Sequence, residues 1–396
     1  MGGGQGRLTA TIPDLGKAFD TLVKQALLAA SPLVSQAEAA GAASLLADLR
    51  LDDDGRLVAE GRVEADGLGF QAPEVEVRQA SLDLPFHWRE GGARGQPMPP
   101  LPRDWGGFSA QAAALGPLSL QSDVPLALVP GRLYVGGFRA AVPGGAVESP
   151  GLHVDRPFSP VRVLRGTLRL PGLDFAALPS PFPLEGSLSG SLDLRMAGGR
   201  LTTEGKLGGD FFGGELTVSD IGGRGLFQSG RSIGLNARVE GMDLLPLGRA
   251  MDLGTITGRL DLMLRGLEIA YGQPVAFELV ARSPGEARAD RRISLKAVNA
   301  LTELGTGRGM TGVGVGFFSS FFETFAYQDM GLYCRLHNDL FTVRGLIQEG
   351  GVEYIIKRPP LFGINVVNSN PGNTIRFSDM LDRLGRVLRG LDKEDS

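Results

Sequence analysis

The side chains with the greatest chemical reach in this 396-residue chain are few and scattered. The one cysteine, Cys334, could act as a nucleophile or metal ligand only with a base or further ligands beside it. Its neighbours alternate, with Met330, Leu332, Cys334 and Leu336 on one side and Tyr333, Arg335 and His337 on the other. That pattern puts the thiol on the apolar side of a strand, where it behaves as a small hydrophobe. His87, His153 and His337 are far apart, and neither Cys-x-x-Cys nor His-Glu-x-x-His occurs. Gly307-Arg-Gly-Met-Thr-Gly312 has the spacing of a dinucleotide fingerprint, but that chemistry needs a strand before the glycines and a helix after them. A helical pattern precedes them here, so the stretch reads as a linker. There is no Walker loop and no Gly-x-Ser-x-Gly elbow. The residues point to no catalytic group, no metal and no cofactor, which leads us to expect a protein that is not an enzyme.

The densest apolar cluster is Phe317, Phe318, Phe321, Phe322 and Phe325. Together with Val315, its spacing predicts a helix that packs on a sheet, or that lines or gates an apolar channel. Ile293, Ala297, Ala300, Leu301 and Leu304 predict a second helix, with Arg291, Arg292 and Lys296 at its basic start. A last helix is expected from Asp379 to Arg389, capped by Ser378 and apolar along Leu381, Leu384 and Leu388.

The rest of the chain must position these pieces. Hydrophobic residues make up 42% and charged residues 21%, too apolar a balance for disorder, while 59 Gly and 25 Pro imply many turns between short elements. The net charge of −4 gives no reason to expect nucleic acid as a partner. Residues 14–50 are Ala-rich and read as helical. From Leu51 onward strand patterns dominate, interrupted by a Gly/Pro-rich loop from Glu90 to Gly107. Gly-Ser-Leu-Asp-Leu at 190–194 resembles Gly-Arg-Leu-Asp-Leu at 258–262, and each follows an apolar, Pro-containing stretch. Leu168 to Phe175 reads as a third, degraded copy, and together these suggest stacked β units. In one strand Val275, Phe277, Leu279 and Ala281 alternate with Glu278 and Arg282. Such alternation over many strands means antiparallel sheet with one apolar and one wet face, and the apolar face must be covered by something.

From Arg238 to Gly363 the chain resembles the C-terminal region of the AsmA-like envelope proteins, closest to their YdbH-like branch. The resemblance rests on Leu260-Asp-Leu, Gly266-Leu, Pro274-Val-Ala-Phe, Arg292-Ile-Ser-x-x-Ala-Val, Phe317-Phe through Phe325-Ala-Tyr, and Gly331-Leu-Tyr-Cys-Arg-Leu-x-Asn-Asp, in that order. Asn338-Asp339 is then the turn between two hairpin strands. The resemblance implies a mainly β fold: an elongated, twisted antiparallel sheet curled into an open apolar groove, with a few amphipathic helices near the C-terminus. Together with the composition, it divides the chain into an Ala-rich helical segment over 1–50, a repetitive antiparallel β-groove over 51–290, and closing helices and strands over 291–396. Leu262, Leu264, Val275, Phe277, Leu279, Leu332 and Leu336 become candidates for the groove floor. The Phe-rich helix becomes its lining or gate. The implied partners are phospholipid acyl chains and components of the inner and outer membranes, in the periplasm of a Gram-negative envelope. Relatives start with a membrane anchor, so this chain reads as the C-terminal part of a longer polypeptide. A scaffold for outer-membrane proteins, acting by strand pairing, is the alternative. A β-repeat adhesin with a closed, dry core is a third.

Overall fold

The computed structural model describes residues 5–24, 36–72, 75–90, 104–226, 230–285, 291–299, 324–368, 372 and 374–381. The protein is mainly β, as the alternating patterns predict: of the described residues 67% are strand and 9% helical. Its first strands are β1 (Gln5–Ile12), β2 (Glu38–Leu51), β3 (Leu57–Ala72), β4 (Val75–Arg89), β5 (Gly106–Leu115), β6 (Leu118–Leu120), β7 (Val124–Val129), β8 (Arg132–Val135), β9 (Phe138–Val142), β10 (Gly145–Asp155) and β11 (Val163–Asp174). Then come β12 (Gly186–Ala197), β13 (Arg200–Phe211), β14 (Gly214–Arg224), β15 (Ser232–Asp243), β16 (Arg259–Ala270), β17 (Gln273–Arg282), β18 (Arg292–Ser294) and β19 (Thr324–Ala326). The last are β20 (Asp329–His337), β21 (Leu340–Gly345), β22 (Ile347–Glu349), β23 (Val352–Lys357), β24 (Val366–Val367) and β25 (Thr374–Arg376).

The chain divides into two compact units. One holds Met1–Leu173 with Ser189–Gly205 and Gly222–Arg231; the other holds Asp174–Leu188, Lys206–Ile221 and Ser232–Ser396. In the first, β1 to β5 form an antiparallel meander in sequence order. β7 pairs with β5 and, through a parallel bridge, with Phe86 of β4; β8, β10 and β11 extend the array antiparallel. In the second unit β15, β16, β17, β20, β21 and β25 pair in that order, all antiparallel. β23 pairs with β20, β22 and β24.

The turn between β20 and β21 is Asn338-Asp339, as read from the sequence. Both residues take positive φ, 48° and 65°, the two-residue geometry whose twist suits a hairpin. The repeated Gly-x-Leu-Asp-Leu segments also fall in equivalent places, on β12 and β16. What precedes them sharpens the repeat. Asp174 ends β11 and Asp243 ends β15, and each carboxylate accepts a hydrogen bond from the amide two residues on, at 2.9 Å in both. Each thereby caps a short helix, Phe175–Ala177 in one and Leu244–Ala250 in the other. Leu168 to Phe175 is thus no third copy; it is the strand end and capped turn that lead into the first.

Five further expectations are corrected. Residues 14–50 are not one helical segment: among the described residues α- and π-helix runs from Leu15 to Lys24, β1 lies before it, and Glu38–Leu51 is strand. Phe325 is not helical; it sits in β19 opposite Ile293 of β18, which is likewise strand. The helical turn that follows begins at residue 295 and includes Ala297, while Ala300, Leu301 and Leu304 lie outside the described residues. Ser378 does not cap the last helix. The helical turn over 377–381 contains it, and the Asp339 carboxylate accepts from the Ser378 amide at 3.0 Å. Finally, Gly106 and Gly107 belong to β5 rather than to the loop. Phe317, Phe318, Phe321, Phe322, the Gly307–Gly312 motif, Leu384 and Leu388 lie outside the described residues.

Candidate functional site: the apolar sheet face

The register brings most of the predicted floor residues onto one face of the second unit. Across antiparallel strands, directly opposed residues share a face. Leu262 opposes Ala281 and Leu264 opposes Leu279; Phe277 opposes Leu336, Leu279 opposes Cys334, and Ala281 opposes Leu332. Val275 joins them by alternation along β17. On the other face Glu278 opposes Arg335, with 3.6 Å between carboxylate and guanidinium.

This face is not open throughout. Phe377 and Met380, from the helical turn after β25, pack over it with Cys334, Leu336 and Phe341. The Phe377 ring lies 6.0 Å from that of Phe277 and 5.5 Å from that of Phe341. Leu336 is 2% exposed, so it belongs to a closed core and not to an open floor. Phe277, Leu279 and Leu332 pack against the same cluster. Leu262, Leu264 and Val275 remain half-exposed outside it. Burial pushes the Cys334 thiol up to about 12, so it is an inert core atom.

The first unit carries a longer apolar face that sequence reading missed. One row runs Leu8, Ala47, Gly61, Phe86, Leu128, Leu133, Val154 and Leu164, each residue opposed to the next across a strand pair. A second row runs Ala10, Leu45, Val63 and Leu84. Gly61 allows the backbones to approach closely there: a Cβ would meet the Leu46 carbonyl oxygen at 1.9 Å. Among the side chains described between 5 and 173, Leu22 and Val23 not being among them, the buried ones are Ala, Val, Pro85 and Ser149. Leaving out Leu22, every Leu, Ile and Phe described there stays at least partly in solvent, with Leu8 at 44% and Ile12 at 41%. The second unit differs: Phe212, Met242, Ile293, Leu336 and Ile356 are all below 2% or at it.

The opposite face of β1 to β4 is charged. Arg7 holds Asp48 at 2.8 Å, Arg50 holds Glu60 at 2.9 Å, and Arg62 bridges Asp83 and Asp104 at 2.5 and 2.9 Å. The Arg7 guanidinium, by its hydrogen bond, keeps the Asp48 carboxyl below the usual carboxylate range. Farther along, Arg132 and Arg165 both hold Asp155. His153 lies beside Tyr134 there, and burial together with the Arg132 charge lowers its pKa. The Arg7–Asp48 and Arg50–Glu60 pairs are largely solvated, so they set which face is wet more than they add stability, whereas Arg132 and Asp155 are mostly buried.

Among the described residues no group of three or more His, Cys, Asp or Glu is placed to hold a metal, and no helix is long and apolar enough to cross a membrane. Compared with protein-family models, curated proteins and solved structures, the chain has no significant match.

Proposed function

We propose that this protein is a non-catalytic, AsmA-like component of a Gram-negative cell envelope, and that its apolar sheet face carries phospholipid acyl chains between the inner and outer membranes. The observation that carries the reading is the apolar face of the first unit. Its large side chains stay half-exposed while its reverse is charged. An acyl chain laid on that face removes apolar surface from water, about 0.8 kcal/mol for each methylene buried. No single polar contact is required, which suits the lack of convergent polar groups around the face. The half-exposed Leu262, Leu264 and Val275 extend the same logic to the second unit. The test is mass spectrometry of lipids retained by the purified chain. Phospholipid on the parent chain and its loss from a folded Leu84→Arg variant are the expected results. Lipid-free protein in both sinks the proposal.

One observation favours the strand-pairing alternative. All eight residues of β1 are exposed, and among the described strands β1 pairs with β2 alone. Such an edge is a template for an added strand. That reading predicts that Leu8→Pro and Thr9→Pro abolish function while charges on the apolar face do not.

A further inference from the structure

Among the described residues beyond the sheet, the largest exposed apolar pair is Leu361 and Phe362, 80% and 82% exposed and adjacent in sequence. Single exposed apolar residues are ordinary; two large neighbours held at a loop tip are not. The loop is built to present them. Pro359 and Pro360 stiffen its entry. The Arg358 amide donates to the Asn365 side chain at 2.8 Å, and the Ile364 amide donates to the Ala326 carbonyl at 3.3 Å. Gly363 has φ +141°, and a Cβ there would meet the Ala326 oxygen at 2.3 Å, so the return requires glycine. Both ends are thus tied while the tip stands in water.

The charge around the tip selects its partner. In the sequence no Asp or Glu occurs between Glu353 and Asp379, and two cations, Lys357 and Arg358, lead directly into the tip; Lys357 opposes Asp329 across the β20–β23 pair. Lys357 is held by Glu349 at 2.6 Å; Arg358 is exposed beside the tip. Apolar side chains beside an exposed cation match an anionic bilayer surface, where the side chains enter the acyl boundary and the arginine meets phosphate. We infer that the loop 358–364 is a membrane-contacting tip that inserts Leu361 and Phe362 into the interface of an anionic phospholipid bilayer. This inference stands apart from the acyl-chain reading, because it concerns docking on a bilayer and not extraction of lipid from it.

The test is co-sedimentation of the full chain with vesicles of phosphatidylcholine alone or mixed equally with phosphatidylglycerol. Moving two large apolar side chains out of water contributes about a hundredfold in partitioning, so Leu361→Ser/Phe362→Ser should weaken binding to the mixed vesicles by about that factor. Arg358→Gln should cost about fivefold on mixed vesicles and little on neutral ones. Tyr271→Ser is the control, since Tyr271 is 79% exposed on a turn without adjacent cations. It should bind as the parent does. The proposal is overturned if the parent ignores both vesicles, if the double variant binds unchanged, or if Tyr271→Ser loses as much. A photo-reactive group at position 362 that captures a protein in membranes, with no vesicle binding, would assign the loop to a protein pocket and also overturn it. Lipid retention by the purified chain is measured separately, so either proposal can fail without the other.

Discussion

Leu84 and Leu336 occupy comparable positions, each on the apolar face of a long antiparallel strand, and the same substitution should affect them very differently. Leu336 is 2% exposed under Phe341 and Phe377. Removing its side chain alone costs about 2–5 kcal/mol. An arginine there adds an unpaired buried charge, worth several kcal/mol more. Leu336→Arg should therefore consume about 5 kcal/mol or more, comparable with the whole stability of a domain. Leu84 is half-exposed. Only partly exposed, it forfeits much of the 1.5–3 kcal/mol that full burial contributes, about 1–2 kcal/mol, and an arginine stem can lie along the face with its head in water. The assay is urea unfolding followed by circular dichroism, with binding of a fluorescent fatty acid measured on whatever stays folded. A difference near 4 kcal/mol between the two variants is expected from these figures. Equal and severe destabilisation would mean that the first unit's face is sealed by a packed layer, and the argument from exposure would fail. A stable Leu84→Arg protein that binds fatty acid as the parent does would refute the acyl-chain reading while leaving the open face intact.

Cys334 should resist Ellman's reagent in the native protein and react fully in urea, because the thiol is buried and its pKa is pushed up to about 12. Tyr327, its phenol donating to the Thr257 carbonyl, is also raised by burial to about 12. Both groups ionise more readily in the unfolded chain, so their stabilisation is complete below about pH 9 and is lost as pH rises towards 12; the slope is about 1.4 kcal/mol per pH unit for each. Cys334→Ala and Tyr327→Phe should flatten the alkaline limb of a stability–pH curve, and an unchanged limb would count against the burial of both. Asp339 supports a positive-φ turn and caps the turn over 377–381. Asp339→Ala should cost about 2 kcal/mol, and Asp339→Gly, which restores the turn but not the cap, about half as much. Equal losses in thermal melts would show that the turn geometry contributes nothing.

Where the side-chain period is two and the residues are large, the fold was readable. Val275 to Ala281 and Met330 to Leu336 alternate strongly, and the register places them face to face. The Asn338-Asp339 turn was expected from the family resemblance, and its positive φ at both residues is a backbone that few residue pairs tolerate. Residues 38–51 were not readable. Their alanines favour helix when considered alone, but this segment is flanked by β1 and β3, and pairing on both edges outweighs local preference. Missing that strand hid the first unit's apolar face, since Ala43, Leu45, Ala47 and Leu49 look unremarkable until their cross-strand neighbours are known. Phe325 misled in another way: it continues a helical spacing whose last member the pairing with Ile293 draws into a strand. The covering of Phe277 and Leu336 by Phe377 joins residues far apart in sequence, and no local pattern encodes such a contact.

The scarcity of large buried side chains between residues 5 and 173 has a thermodynamic consequence. The heat-capacity increment and the denaturant sensitivity of unfolding both scale with the surface newly exposed. A region that already keeps its leucines and phenylalanines partly wet has little left to expose. Its melting should therefore be broad and shallow, with amide protons protected strand by strand and least at β1. The second unit, with Phe212, Met242 and Ile356 sealed away, should melt as one sharp step. A single calorimetric scan of the intact chain should thus contain two transitions of unlike width, the wider one belonging to the longer apolar face.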